Sequence, residues 1–99
     1  MNTQYRKQLL AFLCAIDDSN EMAAALDILL TDKEHVDVDQ RLQIFHLLEA
    51  QVPQREISAT LGVGIATVTR GSKAMQTESY KKLAKKLAHS RNELWMRCW

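Results

Sequence analysis

Few side chains in this sequence have the types and spacing that catalysis or metal binding requires. His35, His46 and His89 form no His-x-x-x-His pair, and no serine, histidine and aspartate set has the context of a catalytic triad. Cys14 and Cys98 stand near opposite ends of the chain, which indicates a reducing compartment and no disulfide framework. We therefore expect no enzyme, no metal site and no catalytic cofactor, and we expect Cys14 to be a core residue.

Recognition chemistry is better supported, in the segment from residue 54 to residue 73. Ser58 is small where two helix backbones would approach, and Gly62 tolerates the positive φ that opens a tight turn. The segment therefore has the pattern of a helix-turn-helix, with an ordinary helical hairpin as the alternative. The apolar residues that would fill the angle between its two helices are Ile57, Leu61, Val63 and Val68.

The residues after this turn suit a helix that enters the major groove of DNA. Short side chains run from Ile65 to Thr69, which allows close approach to bases. Arg55, Arg70 and Lys73 place positive charge beside them. This combination predicts DNA binding.

The net charge of +1 conceals a division along the 99 residues. Residues 1–39 contain three basic and eight acidic side chains, whereas residues 40–99 contain ten basic and four acidic ones. A basic half of this kind usually faces an anionic partner, and two solvated faces of a neutral protein are the alternative.

The segments that must position these residues all have helical spacing. The first apolar stretch begins at Tyr5 and repeats as one helix face, so it is predicted to be a helix and not a signal peptide. A second helix should end near Leu30, and the pair Thr31 and Glu34 fits a capping box that starts a third helix at about Asp32. The third helix should reach about residue 50, and it is apolar on so many sides that a second chain is expected to cover it.

The second half should contain three more helices. Pro53 suits the first turn of a fourth helix, Gly62 and Gly64 end it, and a fifth begins near Ile65. A last helix should start near Thr77. The predicted architecture is all-α, in a single domain of residues 1–99: core helices over 1–52, a helix-turn-helix over 53–75, and a C-terminal helix and tail over 76–99. No apolar run is long enough to span a membrane, and no membrane partner is expected.

The sequence resembles the tryptophan operon repressor family over about residues 9–88. The specific part of the resemblance is the run Ile-Ala-Thr-x-Thr-Arg-Gly-Ser at residues 65–72, preceded by Gln54-Arg55-Glu56 and the Gly62-x-Gly64 turn. The upstream pairs at residues 30–31 and 41–42 stand in the matching order. The resemblance implies a cytoplasmic, intertwined homodimer that acts as a DNA-binding repressor.

The resemblance also implies L-tryptophan as a corepressor ligand. Arg41 and Arg70 match the two arginines that enclose the indole, because a planar guanidinium stacks on an aromatic face and pairs with a carboxylate. Gly71 would leave room for the ring. Leu30 and Thr31 of the other subunit would receive the polar end of the ligand.

For DNA, the resemblance implies a set of contact residues with different tasks. Arg55 would bond a guanine edge, and Lys73 would contact phosphate. Most other contacts to bases would pass through water. The implied DNA-binding residues are Gln54, Arg55, Gly64, Ile65, Ala66, Thr67, Thr69 and Lys73.

Three features depart from the family pattern. The link between Arg41 and Gln54 is one residue shorter, and Ala74 stands where a serine near the ligand amine is frequent. The stretch after about Ala88, which ends in residues 95–99, is longer, and a loosely packed tail is favoured over a helix extension or a partner surface. Two other functions stay open: a helix-turn-helix protein without an effector, such as a replication or recombination accessory, and an interaction module that uses the tryptophan-rich tail.

Overall fold

A computed structural model describes the backbone of residues 2–98 and the side chains of residues 2–90. This part of the chain is helical and contains no strand, so the predicted all-α class is confirmed. The helices are α1 (Thr3–Cys14), α2 (Ser19–Leu29), α3 (Asp32–Glu49), α4 (Gln54–Leu61), α5 (Ile65–Ala74) and α6 (Glu78–Cys98).

The chain divides into two compact units, Met1–Asp37 and Val38–Trp99, and the boundary lies inside α3. The single domain predicted from the sequence, with core helices over residues 1–52, stays a prediction. The structural boundary lies close to the change in charge along the chain. The first unit contains three basic and seven acidic residues, and the second contains ten basic and five acidic ones.

In the first unit, short polar side chains begin each helix. Asn2 accepts a hydrogen bond from the Tyr5 amide at 3.0 Å, and Asp18 accepts one from the Glu21 amide at 2.8 Å. The predicted capping box is confirmed, since the Glu34 amide donates to Thr31 Oγ1 at 3.2 Å and the Thr31 amide donates to Glu34 Oε1 at 2.9 Å. These bonds satisfy backbone N–H groups that have no partner within a helix.

The apolar side chains of the first unit are mostly exposed in the single chain. Helix α1 has no buried residue, and Ala25 is the buried residue of α2. Ile28 is 77% exposed, and Val36 in α3 is 54% exposed. Cys14 is exposed as well, so its predicted place in a core is wrong for the single chain. Helix α1 buries none of its residues, so the face that carries Cys14 is not covered in the single chain.

The second unit has a small core that joins three helices. Ile44 of α3, Ile57 of α4 and Val68 of α5 are between 0% and 1% exposed. This confirms that Ile57 and Val68 fill the angle between the two helices of the segment singled out from the sequence. The partly buried residues packed against these three are Leu47, Leu48, Val52, Leu61 and Val63.

Helix α6 is fixed to α3 by an aromatic contact and two polar ones. The rings of Phe45 and Tyr80 lie 5.2 Å apart, and the Tyr80 hydroxyl donates to Glu49 Oε1 at 2.6 Å. His46 Nε2 lies 3.0 Å from Ser90 Oγ, and that hydroxyl donates to the Leu87 carbonyl at 2.6 Å. Because a serine hydroxyl has one hydrogen, His46 must donate through Nε2.

The backbone of the C-terminal stretch continues as part of α6 to Cys98, as in the helix extension considered from the sequence. The side chains from residue 91 onward lie outside the described residues, so the role expected of residues 95–99 is not addressed. No helix in the described part of the chain is both long and apolar enough to cross a membrane.

Candidate nucleic-acid interface

The turn between α4 and α5 consists of residues 62–64. Gly62 adopts φ +68°, the left-handed conformation predicted for it, and its amide donates to the Ser58 carbonyl at 3.0 Å. The Ser58 hydroxyl donates to the Val63 carbonyl, so this small residue also closes the turn by a hydrogen bond. Pro53 lies immediately before α4 as its N-cap, and not within the first turn as predicted.

Two contacts hold the α4–turn–α5 segment against α3. The Gln40 side-chain amide donates to the Leu61 carbonyl at 3.2 Å, which satisfies a backbone oxygen at the end of α4. A Cβ atom built on Gly71 would lie 2.8 Å from Ile44 Cγ2. Real Cβ atoms do not approach another atom so closely, so a residue without a side chain lets α5 lie directly on α3. The space above Gly71 is thus occupied by Ile44.

Most of the residues predicted to contact DNA are exposed around this turn and along α5. Arg55, Lys73 and Thr69 are exposed, and Ile65 is 47% exposed although it is a large apolar residue. Gly64 and Ala66 are exposed, whereas Gln54 and Thr67 are half-buried. The structure therefore places the predicted set on two consecutive helices of one unit, with the apolar residues beneath them.

Gln54 and Thr69 of the predicted set contact each other. The Thr69 hydroxyl lies 2.9 Å from Gln54 Oε1 and 3.0 Å from the Ile65 carbonyl oxygen, so its single hydrogen is shared between two acceptors. This contact crosses from α4 to α5 on the exposed side. It orients the Gln54 amide nitrogen, which has no hydrogen-bond partner among the described residues.

The residues predicted to bind L-tryptophan are divided between the two units. Arg41 and Arg70 are both exposed in the second unit, and no ion pair joins either guanidinium to another described residue. Leu30 and Thr31 belong to the first unit. The Thr31 hydroxyl oxygen accepts a hydrogen bond from the Glu34 amide at 3.2 Å.

An apolar groove with a volume of about 420 Å³ runs between α3 and α6 of the second unit. Leu42 and Phe45 contribute from α3, Ala74 from α5, and Leu83 and Leu87 from α6. Ala74 is thus half-buried on an apolar wall, in the position that the family resemblance associates with a serine. Leu83 is 50% exposed at this groove.

Several residues that support this surface were not identified from the sequence. Gln40, His46 and Ser90 act through hydrogen bonds between residues far apart in the chain, and such bonds leave no local pattern. Ser58 was recognised as small, but its hydrogen bond to the Val63 carbonyl was not anticipated. A serine five residues before a turn carbonyl is the one signal that could have suggested it.

Comparison with known proteins gives one consistent result. The family model described as Trp repressor protein matches residues 4–89. A Trp operon repressor homolog of Xylella fastidiosa is 33% identical over 81 residues, covering 81% of this chain and 88% of that protein. A homolog of the same name from Vibrio parahaemolyticus is 37% identical over 79 residues, covering 77% of both chains.

A further Trp operon repressor homolog, from Aliivibrio salmonicida, is 36% identical over 73 residues, covering 73% of this chain and 68% of that protein. No solved structure gives a significant match to the chain. The family match spans most of the sequence, including α4, the turn and α5. The chain therefore belongs to the Trp repressor family.

Proposed function

We propose that this protein is a homodimeric transcriptional repressor that binds operator DNA through α4 and α5 and takes L-tryptophan as its corepressor. It is a regulatory protein and not an enzyme. The observation that carries the proposal is the α4–turn–α5 segment itself. Ile57 and Val68 anchor it on Ile44 with almost no exposed surface, while the residues suited to DNA contact remain on the outside.

The DNA-reading part of the proposal rests on side-chain chemistry at that surface. Arg55 can bond O6 and N7 of one guanine in a bidentate manner, and Lys73 can pair with a phosphate as a point charge. Gln54, held by Thr69, presents its amide nitrogen as a hydrogen-bond donor. The small Ala66 and the exposed backbone at Gly64 allow close approach to bases or to bridging water.

The homodimer is supported by apolar surface that the single chain leaves uncovered. Helix α1 buries none of its residues, although Tyr5 and Phe12 are large, and Val36 and Val38 of α3 are 54% and 44% exposed. The second unit adds the apolar groove between α3 and α6. A second copy of the chain would remove these surfaces from water, and a two-fold axis would present two α5 helices to successive major grooves.

The tryptophan site is supported by the positions of Arg41 and Arg70 beside the contact between α3 and α5. Gly71 lies against Ile44, and Arg70 directly precedes Gly71 while Arg41 precedes Ile44 by about one helical turn. The two arginine side chains therefore leave their helices close to the contact between α3 and α5. Neither guanidinium forms an ion pair with a described residue. A flat ring between them would stack on two cationic planes.

A bound ligand at this place would act on the orientation of α5. Arg70 belongs to the DNA-reading helix and Arg41 to the core helix, so a ligand that contacts both favours one arrangement of the two helices. Only a ligand with a higher affinity for the DNA-competent arrangement can raise DNA affinity. Leu30 and Thr31 of a partner subunit would complete the polar end of the site.

The test combines calorimetric titration with L-tryptophan and DNA binding at fixed salt, using a near-palindromic duplex that the full chain selects from random DNA. We expect heat of binding and tighter DNA binding when tryptophan is added. Arg41→Ala should weaken tryptophan binding and remove the gain in DNA affinity, while binding without tryptophan changes little. Arg55→Ala is the control, because it should keep tryptophan binding and lose discrimination between sequences.

Two other outcomes would replace parts of the proposal. No heat and an unchanged DNA affinity at millimolar tryptophan would favour a DNA-binding protein without an effector. A compact folded monomer in sedimentation at micromolar concentration would exclude the homodimer.

A further inference from the structure

Helix α6 has two rows of lysines on one side. Lys81 and Lys85 form one row and Lys82 and Lys86 the other, because residues four apart lie above each other on a helix with about 3.6 residues per turn. All four side chains belong to exposed residues. From Ser79 to Ser90 the helix contains no acidic residue. These four residues are called the lysine stripe below.

The opposite side of α6 is packed on α3, and this fixes the direction in which the lysine stripe faces. Tyr80 contacts the Phe45 ring and donates to Glu49, and Ser90 bonds His46. Tyr80, Leu87 and Ser90 lie on the side of the helix away from Lys82 and Lys85. Lys81, Lys82 and Lys85 are thus held on the outer surface by contacts on either side of them along the helix, and Lys86 borders the groove between α3 and α6.

Within the chain, few acidic side chains neutralise the positive charge of the lysine stripe. Lys81 lies 3.5 Å from Glu78 Oε1, and this is the one ion pair of the stripe among the described residues. Like charges four residues apart on a helix destabilise it. An anionic partner laid along the stripe would relieve this repulsion and release its own counterions.

We propose that the lysine stripe binds the phosphate backbone of double-stranded DNA, outside the bases read by α5. The inference rests on the proposed function in one respect, that DNA is the partner of this unit. Three observations favour DNA over other polyanions. The stripe belongs to the same compact unit as Arg55 and Lys73. That unit contains ten basic and five acidic residues. Helix α6 begins only a three-residue turn after α5 ends.

The position of Lys86 connects the stripe to the end of α5. Lys86 lines the groove to which Ala74, the last residue of α5, also contributes. The stripe begins at Lys81, about seven residues after Ala74 ends the helix that carries Lys73. Lysine pairs with phosphate as a flexible point charge and carries no base information. The stripe would thus add affinity for any sequence and lengthen the stretch of DNA that the protein covers.

The test compares two double variants that lower the net charge equally. Lys82→Gln/Lys85→Gln changes the stripe, and Lys7→Gln/Lys33→Gln changes two exposed lysines in the first unit. Glutamine keeps good helix propensity at all four positions. Binding of the full chain to a random duplex and to its selected duplex is measured between 50 and 200 mM salt. Circular dichroism confirms that both variants remain folded.

The stripe variant should bind both duplexes more weakly, with unchanged discrimination between them. Each lost phosphate contact lowers the slope of log affinity against log salt by about 0.9, so the slope should fall by roughly 2 per chain. The control variant should keep the wild-type slope. Equal slopes for the two double variants would overturn the inference.

Other results separate this inference from the proposed function. If Arg55→Ala leaves discrimination between DNA sequences unchanged but the stripe variant still lowers the salt slope, the proposed base-reading function is wrong and the inference about the lysine stripe is supported. If Arg55→Ala alters discrimination and the stripe variant leaves the slope unchanged, the stripe alone is wrong. A stripe variant that loses binding to vesicles containing anionic lipid, and not to DNA, would assign the surface to a membrane. No binding of the wild-type chain to any duplex would overturn both.

Discussion

Gly71 of α5 lies against Ile44 of α3 so closely that a Cβ atom on the glycine would be 2.8 Å from Ile44 Cγ2. Ile44 is 1% exposed, and Cγ2 is a branch near the backbone and not the mobile end of a long side chain. The two helices that carry Arg41 and Arg70 therefore meet at a contact with no room for an added methyl group. The distance between α5 and α3 depends on this pair.

Gly71→Ala should destabilise the fold. The added methyl group overpacks the core at a cost of about 1–3 kcal/mol, and the better helix propensity of alanine offsets up to ~1 kcal/mol of this. Urea unfolding should show a lower midpoint with an unchanged slope. In the Ile44→Ala background, where Cγ2 is absent, Gly71→Ala should cost less. Equal costs in the two backgrounds would mean that Ile44 is not the clashing residue.

Acid should weaken the start of α3 through Glu34. The Thr31 backbone N–H, and then the Thr31 hydroxyl, hold the pKa of Glu34 below its ordinary value. A lowered folded-state pKa stabilises the fold above the unfolded pKa, and the stabilisation disappears as the pH falls through the folded pKa. Wild type should thus be more stable than Glu34→Gln near pH 7 and lose that advantage below about pH 4.

The Glu34 prediction is measured by urea unfolding of both proteins across this pH range, with the Glu34 carboxyl followed by NMR. Asp32→Asn is the control, since Asp32 belongs to the same exposed first turn but does not bond the Thr31 amide. A difference between wild type and Glu34→Gln that stays constant from pH 7 to pH 3 would contradict the prediction.

Arg55 and Lys73 are both exposed, and replacing each by alanine should change DNA binding in a different way. Arg55→Ala should relax discrimination at one base pair at a cost of about 1–3 kcal/mol, because a bidentate bond to guanine is lost. Lys73→Ala should weaken all sequences alike and reduce the salt slope by about 1. The measurement is binding to the selected duplex, its single-base variants and random DNA. Identical effects of both variants on all duplexes would exclude Arg55 as a base reader.

Ala74 should limit the affinity for L-tryptophan. It lies on the apolar wall between α3 and α6, where the family resemblance expects a serine hydroxyl near the ligand amine. Ala74→Ser should tighten tryptophan binding by about threefold to tenfold, the value of roughly one hydrogen bond. Ala59→Ser, on the exposed side of α4, is the matched control. If calorimetry shows the same tryptophan affinity for Ala74→Ser and wild type, residue 74 does not contact the ligand.

The local features of the fold could be predicted from the sequence because their causes lie within a few residues. Thr31 and Glu34 stand three apart and cap α3 as expected, and Gly62 takes the left-handed conformation that its position in the turn requires. Ile57 and Val68 are buried because their spacing assigns them to facing sides of two short helices. The acidic and basic halves are a property of the sequence alone.

The tertiary structure decided which distant residues meet. Nothing in the sequence pairs Gln40 with the Leu61 carbonyl or His46 with Ser90, because such bonds depend on how helices far apart in the chain are packed. The same holds for Gly71, because Ile44 fills the space that a side chain at position 71 would need. Apolar spacing predicted that Cys14 would be inside, yet burial requires an opposing surface, and in the single chain helix α1 has none that buries it.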